Sequence, residues 1–454
     1  MLIRFIAKNL YSFKDETEFN LLPNKTQRLI HHRRTHEHID FLRLSAIYGA
    51  SGSGKSNLIK GVRTLEKMIV LGKICSNIDI QDMKFKLDVD SLNAPISIGI
   101  EFLANGIYYF YTITFDYGVI LNEELYQSRK ENDVLIFSRS YKDDKQIINF
   151  FEGYSDNDKH KLFIEVLSDK LVKKDEVLLT FLKDKYGSEF PDTINVYDWF
   201  DKTLVVIKPD AKPGGLAHLL DKSKELFHFA NNLIPTLNTG VSKLVIQKKK
   251  FNEFVNEIEF KSSHEVIRKL KDDPNSISLF KDLETGEEVS VVYEDGDIIS
   301  KSLVPFHKNK NGVDVEFNLR MESDGTKRLI EYLPALNGII NEESVYLIDE
   351  IERSIHPVTI KDILTKISLD EKAKGQLIFT THESCLLDQN ILRPDEIWFA
   401  QKDINNASKL YPLSDYNIHH TANIENGYLN GRYGGIPFTS NLRDLNWHEN
   451  ELSD

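Results

Sequence analysis

The chain is poor in cysteine. Cys75 and Cys385 are the only two among 454 residues, too few for a disulfide framework, so a reducing compartment is expected. It has no run of about 18 uncharged apolar residues, the length that a membrane-spanning helix needs. Its start, MLIRFIAKNLYSF, alternates like a strand and lacks the long apolar stretch of a secretion signal. These absences predict a soluble protein of the cytoplasm with no membrane partner. Positive charge is also in short supply: 57 Lys and Arg stand against 70 Asp and Glu, a net charge of −13. That balance argues against a surface coated for non-specific DNA binding. It leaves DNA open as a partner through a local basic patch, because net charge averages over faces. Motifs of a second catalytic centre are missing too: H-E-x-x-H, G-x-S-x-G and C-x-x-C do not occur.

Apolar residues make up 41% of the chain, enough for two or three domain-sized cores. Leu2 to Leu10 alternates in the period of a strand, with Glu18 to Leu22 as a partner. Leu42 to Tyr48 is a short apolar run that ends in a glycine-rich turn. Asn57 to Leu71 then carries Leu58, Ile59, Val62, Leu65, Met68 and Ile69 at helical spacing. Ile96 to Phe102 and Ile107 to Phe115 flank Asn105-Gly106, a hairpin signal. Composition shifts near residue 150. The following stretch reads as charged helices with breaks at Pro191, Pro209, Pro213-Gly214-Gly215 and Pro235. Strand patterns return at Val289 to Tyr293 and Val313 to Leu319. From Asp324 onward, helices alternate with strands at Val345 to Ile348, Gln376 to Thr380 and Glu396 to Gln401.

Gly49-Ala50-Ser51-Gly52-Ser53-Gly54-Lys55-Ser56 satisfies every fixed position of G-x-x-x-x-G-K-[ST], between a strand and a helix. Glycines let the backbone wrap an anion closely, and successive N–H groups with the helix N-terminus supply positive potential. The expected ATP-binding set is Gly49, Ser51, Gly52, Ser53, Gly54, Lys55, Ser56 and Asn57. Lys55 would reach the β- and γ-phosphates, and the Ser56 hydroxyl would ligate Mg²⁺. The plain alternative is a glycine-rich turn without a ligand.

Val345-Tyr346-Leu347-Ile348-Asp349-Glu350 is an apolar strand ending in two carboxylates. Asp349 is placed to hold Mg²⁺, leaving Glu350 to orient and deprotonate a water. Alternatively, Asp349 merely caps the next helix. The acidic pair, without an Asp-x-x-Gly switch combined with the Asn-Lys-x-Asp motif of GTPases, favours ATP. His382, in Phe379-Thr380-Thr381-His382-Glu383, follows the next strand and is a candidate to contact the γ-phosphate. A lone histidine is more often structural.

Pieces in this order resemble the ABC-type ATPases of the SMC, RecF and OLD kind. Met321 to Leu329 (MESDGTKRL) is similar to their signature, Ser354-Ile355-His356-Pro357 to their D-loop and His382 to their switch histidine. Asn9 and Ser12-Phe13 match the opening strand of such heads. The tail from Gly427 to Pro437 (GYLNGRYGGIP) resembles a bacterial subfamily often encoded beside a nuclease in anti-phage operons, including the ATPase half of the PARIS system. The resemblance covers residues 1–60 and 320–437 well and the middle only in plan. No glutamine is assigned to the Q-loop; Gln81 and Gln127 both lie in the right lobe without convincing context.

The implied fold is an α/β P-loop head of the ABC-ATPase type, split by a helical insertion. Residues 1–148 would form its P-loop half, 149–310 a mostly helical sensing or partner lobe, and 311–454 its second half. In this family Ser323 and Gly325 act in trans on the nucleotide of a second subunit, which implies a head-to-tail dimer or higher oligomer holding ATP. Ser323 also reads as an ordinary helix N-cap. The resemblance implies a molecular switch of anti-phage defence that senses a phage protein and controls a separately encoded nuclease or toxin. A RecF- or SMC-like role at DNA is the alternative, and a transporter subunit fits least. Two basic stretches read as solvated surface: His31-His32-Arg33-Arg34 with His36 and His38, and the turn Gln247-Lys248-Lys249-Lys250.

Overall fold

The strand Leu44–Tyr48 is buried at all five positions, as befits a parallel strand covered on both faces. In the computed structural model, which describes residues 1–251, 263–281, 288–416, 418–419 and 422–436, it lies at the centre of a six-stranded sheet. Gln376–Thr380 and Ile397–Lys402 flank it in parallel. Val345–Ile348 lies parallel beyond Gln376–Thr380, and Ser408–Pro412 is antiparallel to Ile397–Lys402. The strand ending in acids is therefore one strand removed from the strand leading into the glycine-rich loop. The helix Lys55–Leu71 buries all six apolar residues picked out by their spacing.

A seven-stranded antiparallel sheet carries the N-terminus. Its order is Lys145–Phe150, Val134–Lys142, Val119–Ser128, Ile107–Asp116, Ile96–Ala104, Leu2–Lys8 and Thr17–Asn20. The hairpin at Asn105-Gly106 forms as its sequence predicts, with φ of 50° and 76° and Ala104 paired to Ile107. Gln376 is wholly buried and joins the two sheets. Its carboxamide takes the Leu2 N–H at 2.7 Å and donates to the carbonyls of Leu2 and Leu42 at 2.9 and 2.8 Å.

The chain divides into two compact units. One comprises Met1–Val206, Ser344–Glu350 and Gln376–Asp454; the other comprises Ile207–Glu343 and Ile351–Gly375. The segment 149–310, expected to be mostly helical, contributes helices such as Asp158–Val166, Leu178–Tyr186 and Pro191–Asp198 to the first unit. In the second unit it supplies Leu216–Lys222 and Lys224–Leu233, then four strands of a five-stranded antiparallel sheet. The order of that sheet is Val241–Lys250, Asp297–Lys308, Glu288–Glu294 and Ser278–Lys281, with Asp314–Glu316 against Asp297–Lys308.

Two basic stretches depart in part from their reading: Lys248, Lys249 and Lys250 are exposed as expected but lie on a strand and not a turn, and His32 is buried. Gln247 to Lys250 is the end of an edge strand, paired residue by residue with Ile299 to Ser302. Its lysines find carboxylates: Lys248 meets Asp221 at 2.7 Å and Lys250 meets Asp297 at 3.1 Å. Lysine on an edge strand is compatible with pairing on one side only, so charge hid the strand. His32 is wholly buried, its Nδ1 2.9 Å from the Glu396 carboxylate. Burial pushes the Glu396 carboxyl up, against the pull of the His32 bond. Arg393 completes this buried cluster with hydrogen bonds to Asp395 at 2.9 and 2.8 Å and to the Arg28 carbonyl at 2.7 Å.

Candidate functional site

The site is built at the carboxyl ends of the parallel strands in the first unit, where open α/β sheets place ligands. Tyr48 ends the central strand, and the loop that follows turns directly into the helix at Lys55. No side chain caps that helix, and its first turn holds no acid. Its N-terminal N–H groups and dipole thus favour an anion. Gly54 has φ 110°, and a Cβ there would run into the hydroxyls of Ser408 and Ser12. Only glycine lets the backbone pass so close. Ser53 Oγ is buried without a hydrogen-bond partner among the described residues, an orphan polar atom in the wall of the loop.

Lys55 is 4% exposed, and its ammonium donates to the carbonyls of Gly49 at 2.6 Å and Ala50 at 3.2 Å. The cation is thereby held against the loop that would wrap an anion. Ser51 and Gly52 stand exposed at the tip of the loop. Ser56 is exposed, and its hydroxyl donates to Asp349 Oδ1 at 3.0 Å. The structure thus brings together residues 293 positions apart, both with the hard oxygen ligands that Mg²⁺ prefers. Asn57 faces inward: its amide donates to Ser12 Oγ at 2.8 Å, while Ser408 Oγ lies 2.8 Å from Ser12 Oγ and 2.6 Å from the Ser53 carbonyl. This bracing group went unread as a set in the sequence, since isolated serines carry no spacing signal; Asn57 was expected at the nucleotide and Ser12 only through the Ser12-Phe13 match.

Asp349 is almost buried and Glu350 half-buried. Glu350 has φ 51°, a left-handed conformation that costs a non-glycine residue about 1–3 kcal/mol. Its backbone N–H donates to Thr380 Oγ1 at 2.8 Å, and Thr380 Oγ1 lies 2.5 Å from Asp349 Oδ1. Thr380, wholly buried, is a second residue that the sequence did not single out. Two positions further on, His382 is exposed beyond the strand end.

Ser323 and Gly325 belong to the second unit. Ser323 is the N-cap of the helix Asp324–Asn341, its Oγ accepting the Thr326 N–H at 3.0 Å. A Cβ on Gly325 would meet the Ser354 carbonyl at 2.6 Å. The signature-like and D-loop-like stretches therefore touch within this unit. Of the two glutamines weighed for the Q-loop, Gln81 is exposed, and Gln127 takes a hydrogen bond from Arg129 at 2.8 Å.

Among the described residues no helix is long and apolar enough to cross a membrane. No curated protein matches the chain. Solved structures that resemble it include three heads of SMC proteins. The SMC head domain from Thermotoga maritima is 14% identical, with 90% of this chain and 98% of that one covered and a TM-score of 0.38. An SMC head bound to the C-winged helix domain of ScpA is 13% identical, with 90% and 97% covered and a TM-score of 0.42. A third, an Smc head with an extended coiled coil bound to the C-terminal domain of ScpA, from Pyrococcus furiosus, is 14% identical, with 90% and 96% covered and a TM-score of 0.36. One family profile matches residues 44–388, well over half the chain, from the glycine-rich loop through the acidic strand end to His382. The fold is a split P-loop ATPase head, and the chain belongs to the family of AAA domains described as putative AbiEii toxin, type IV toxin–antitoxin system.

Proposed function

We propose that the chain is a Mg²⁺-dependent ATPase whose nucleotide site is the loop Gly49–Asn57 together with Asp349, Glu350 and His382. The observation that carries this reading is the contact of the Ser56 hydroxyl with the Asp349 carboxylate at 3.0 Å. It sets two oxygen ligands side by side at the mouth of an anion-binding loop. Lys55 and the helix N-terminus bind and orient the phosphates, and Ser56 and Asp349 hold the ion. When bound, Mg²⁺ neutralises charge on the transferring phosphate. Glu350 orients a water and takes its proton, and His382 contacts the terminal phosphate. Exchanging Asp349 for Asn should abolish Mg²⁺-stimulated phosphate release. Wild-type release by that variant would refute the site.

We further infer a switch of anti-phage defence resembling the ATPase half of the PARIS system. In this reading a head-to-tail dimer closes around ATP through Ser323 and Gly325 in trans, and residues 149–310 form the sensing or partner lobe. The toxin–antitoxin description of the family and the tail resemblance support it. A phage protein would be the trigger and a separately encoded nuclease or toxin the effector. Cells carrying the gene with its neighbour should resist phages that plaque on cells carrying Lys55→Ala. Equal plaquing on both would exclude the defence role.

A further inference from the structure

We propose that Thr380 is a positioning residue for hydrolysis, a hydroxyl clamp that sets both carboxylates of the acidic pair at once; this rests on the ATPase reading above. The register of the sheet places it. Ile348 pairs with Phe379 across one parallel ladder, so Asp349 and Thr380 are the next residues on neighbouring strands. On its other side Thr380 pairs with Ile47, two residues before Gly49. Thr380 therefore stands between the strand that delivers the acids and the strand that delivers the phosphate loop. It is wholly buried.

A hydroxyl has one proton to give and lone pairs to accept with. The Glu350 backbone N–H can only donate, and it reaches Thr380 Oγ1 at 2.8 Å. The threonine proton is then left for Asp349 Oδ1, 2.5 Å away. Ser56 donates to that same Oδ1 at 3.0 Å. Both hydroxyls bond one oxygen, which fixes the rotation of the carboxylate. The other half of the clamp holds the Glu350 backbone at φ 51°, a conformation that must be held by its surroundings in a residue other than glycine. That backbone angle decides where the Glu350 carboxylate starts from. Thr380 is buried and bonds the Glu350 N–H and the Asp349 carboxylate, so it acts through those two residues.

The test is Thr380→Val, which removes the hydroxyl at nearly constant volume, compared with Thr380→Ser, which keeps it. In the full-length protein, kcat for ATP hydrolysis and the Mg²⁺ concentration for half-maximal rate are measured beside the KM for ATP and the melting temperature. Hydrogen-bond partners that orient a metal ligand are worth roughly 10- to 100-fold. Thr380→Val should lose that much in kcat and need correspondingly more Mg²⁺, with the KM for ATP within about 3-fold of wild type. Thr380→Ser should recover most of both. If the valine variant does not fold, Thr380→Cys carries the same comparison, since sulfur bonds hydrogen weakly. A Val or Cys variant with wild-type kcat and Mg²⁺ requirement, in a protein whose turnover Lys55→Ala abolishes, overturns the clamp alone. Undiminished turnover by Lys55→Ala would instead remove the site reading beneath it.

Discussion

Single side chains carry most of the chemistry proposed for this molecule. Lys55 is nearly buried, and its ammonium is held by the carbonyls of its own loop. Phosphate would exchange those neutral partners for charged ones, a stronger bond by about 1–2 kcal/mol or more. Lys55→Ala should therefore weaken ATP binding by at least about 10-fold, measured by titration with a fluorescent ATP analogue. Unchanged affinity would mean that the loop does not hold the phosphates. Gly54 tests the same loop by shape. Its φ of 110° and the Ser408 and Ser12 hydroxyls beside it leave no room for a methyl group. Gly54→Ala should cost about 1–3 kcal/mol of stability, read from thermal unfolding, and abolish nucleotide binding. An alanine variant of normal stability and affinity would show that the close approach is not required.

At the scale of elements, what could be read in the sequence depended on whether a pattern was local. The helix at Lys55–Leu71, the strand Val345–Ile348 and the strand Gln376–Thr380 follow from apolar spacing and from the motifs that bound them. Residues of the site inside a motif, from Gly49 to Ser56 and the pair Asp349-Glu350, were legible for the same reason. Thr380 and the group Ser12, Asn57 and Ser408 were not read as a structural set, because their meaning lies in partners tens to hundreds of residues away. Val241–Lys250 was missed because its lysines mask a strand whose partner is Asp297–Lys308. That sheet also has a charge account. Lys301 is 2% exposed and contacts both Asp221, at 2.5 Å, and Glu294. Burial alone would raise Asp221, but hydrogen bonds from Lys248 and Lys301 outweigh it and hold the carboxyl low. The hydrogen bond from Lys301 likewise lowers Glu294. Both carboxyls thus contribute stability that is fully present above their unfolded values, near pH 4, and lost as pH falls through the lower folded values. Denaturant melts should show the wild type losing stability below about pH 4 more steeply than Lys301→Met, whose carboxyls lack that ammonium. Parallel profiles would show that the ion pairs do not govern acid sensitivity.

For the whole molecule, the proposed dimer makes a geometric demand. If Ser323 and Gly325 serve the nucleotide of a second copy, a mixed dimer of Lys55→Ala and Ser323→Arg subunits gathers both lesions in one site and leaves the other intact. Such mixtures should hydrolyse ATP although neither variant does so alone. No recovery on mixing would favour action in cis. The proposed sensing lobe needs a gentler test than excision, since removing residues 216–280 would strip Val241–Lys250 from the sheet that it borders. Charge reversal of the exposed residues Arg268, Lys269 and Lys271 on the helix Ser263–Asp272 leaves its buried Leu270 in place. It should impair partner response while ATP hydrolysis continues. Beneath every larger role lies the claim that this head hydrolyses ATP with Glu350 as base. The direct measurement is phosphate release by Glu350→Gln beside wild type at saturating ATP and Mg²⁺, with bound nucleotide identified after each run. The account predicts ATP retained and release slowed by about 10²-fold or more; release at the wild-type rate would contradict it.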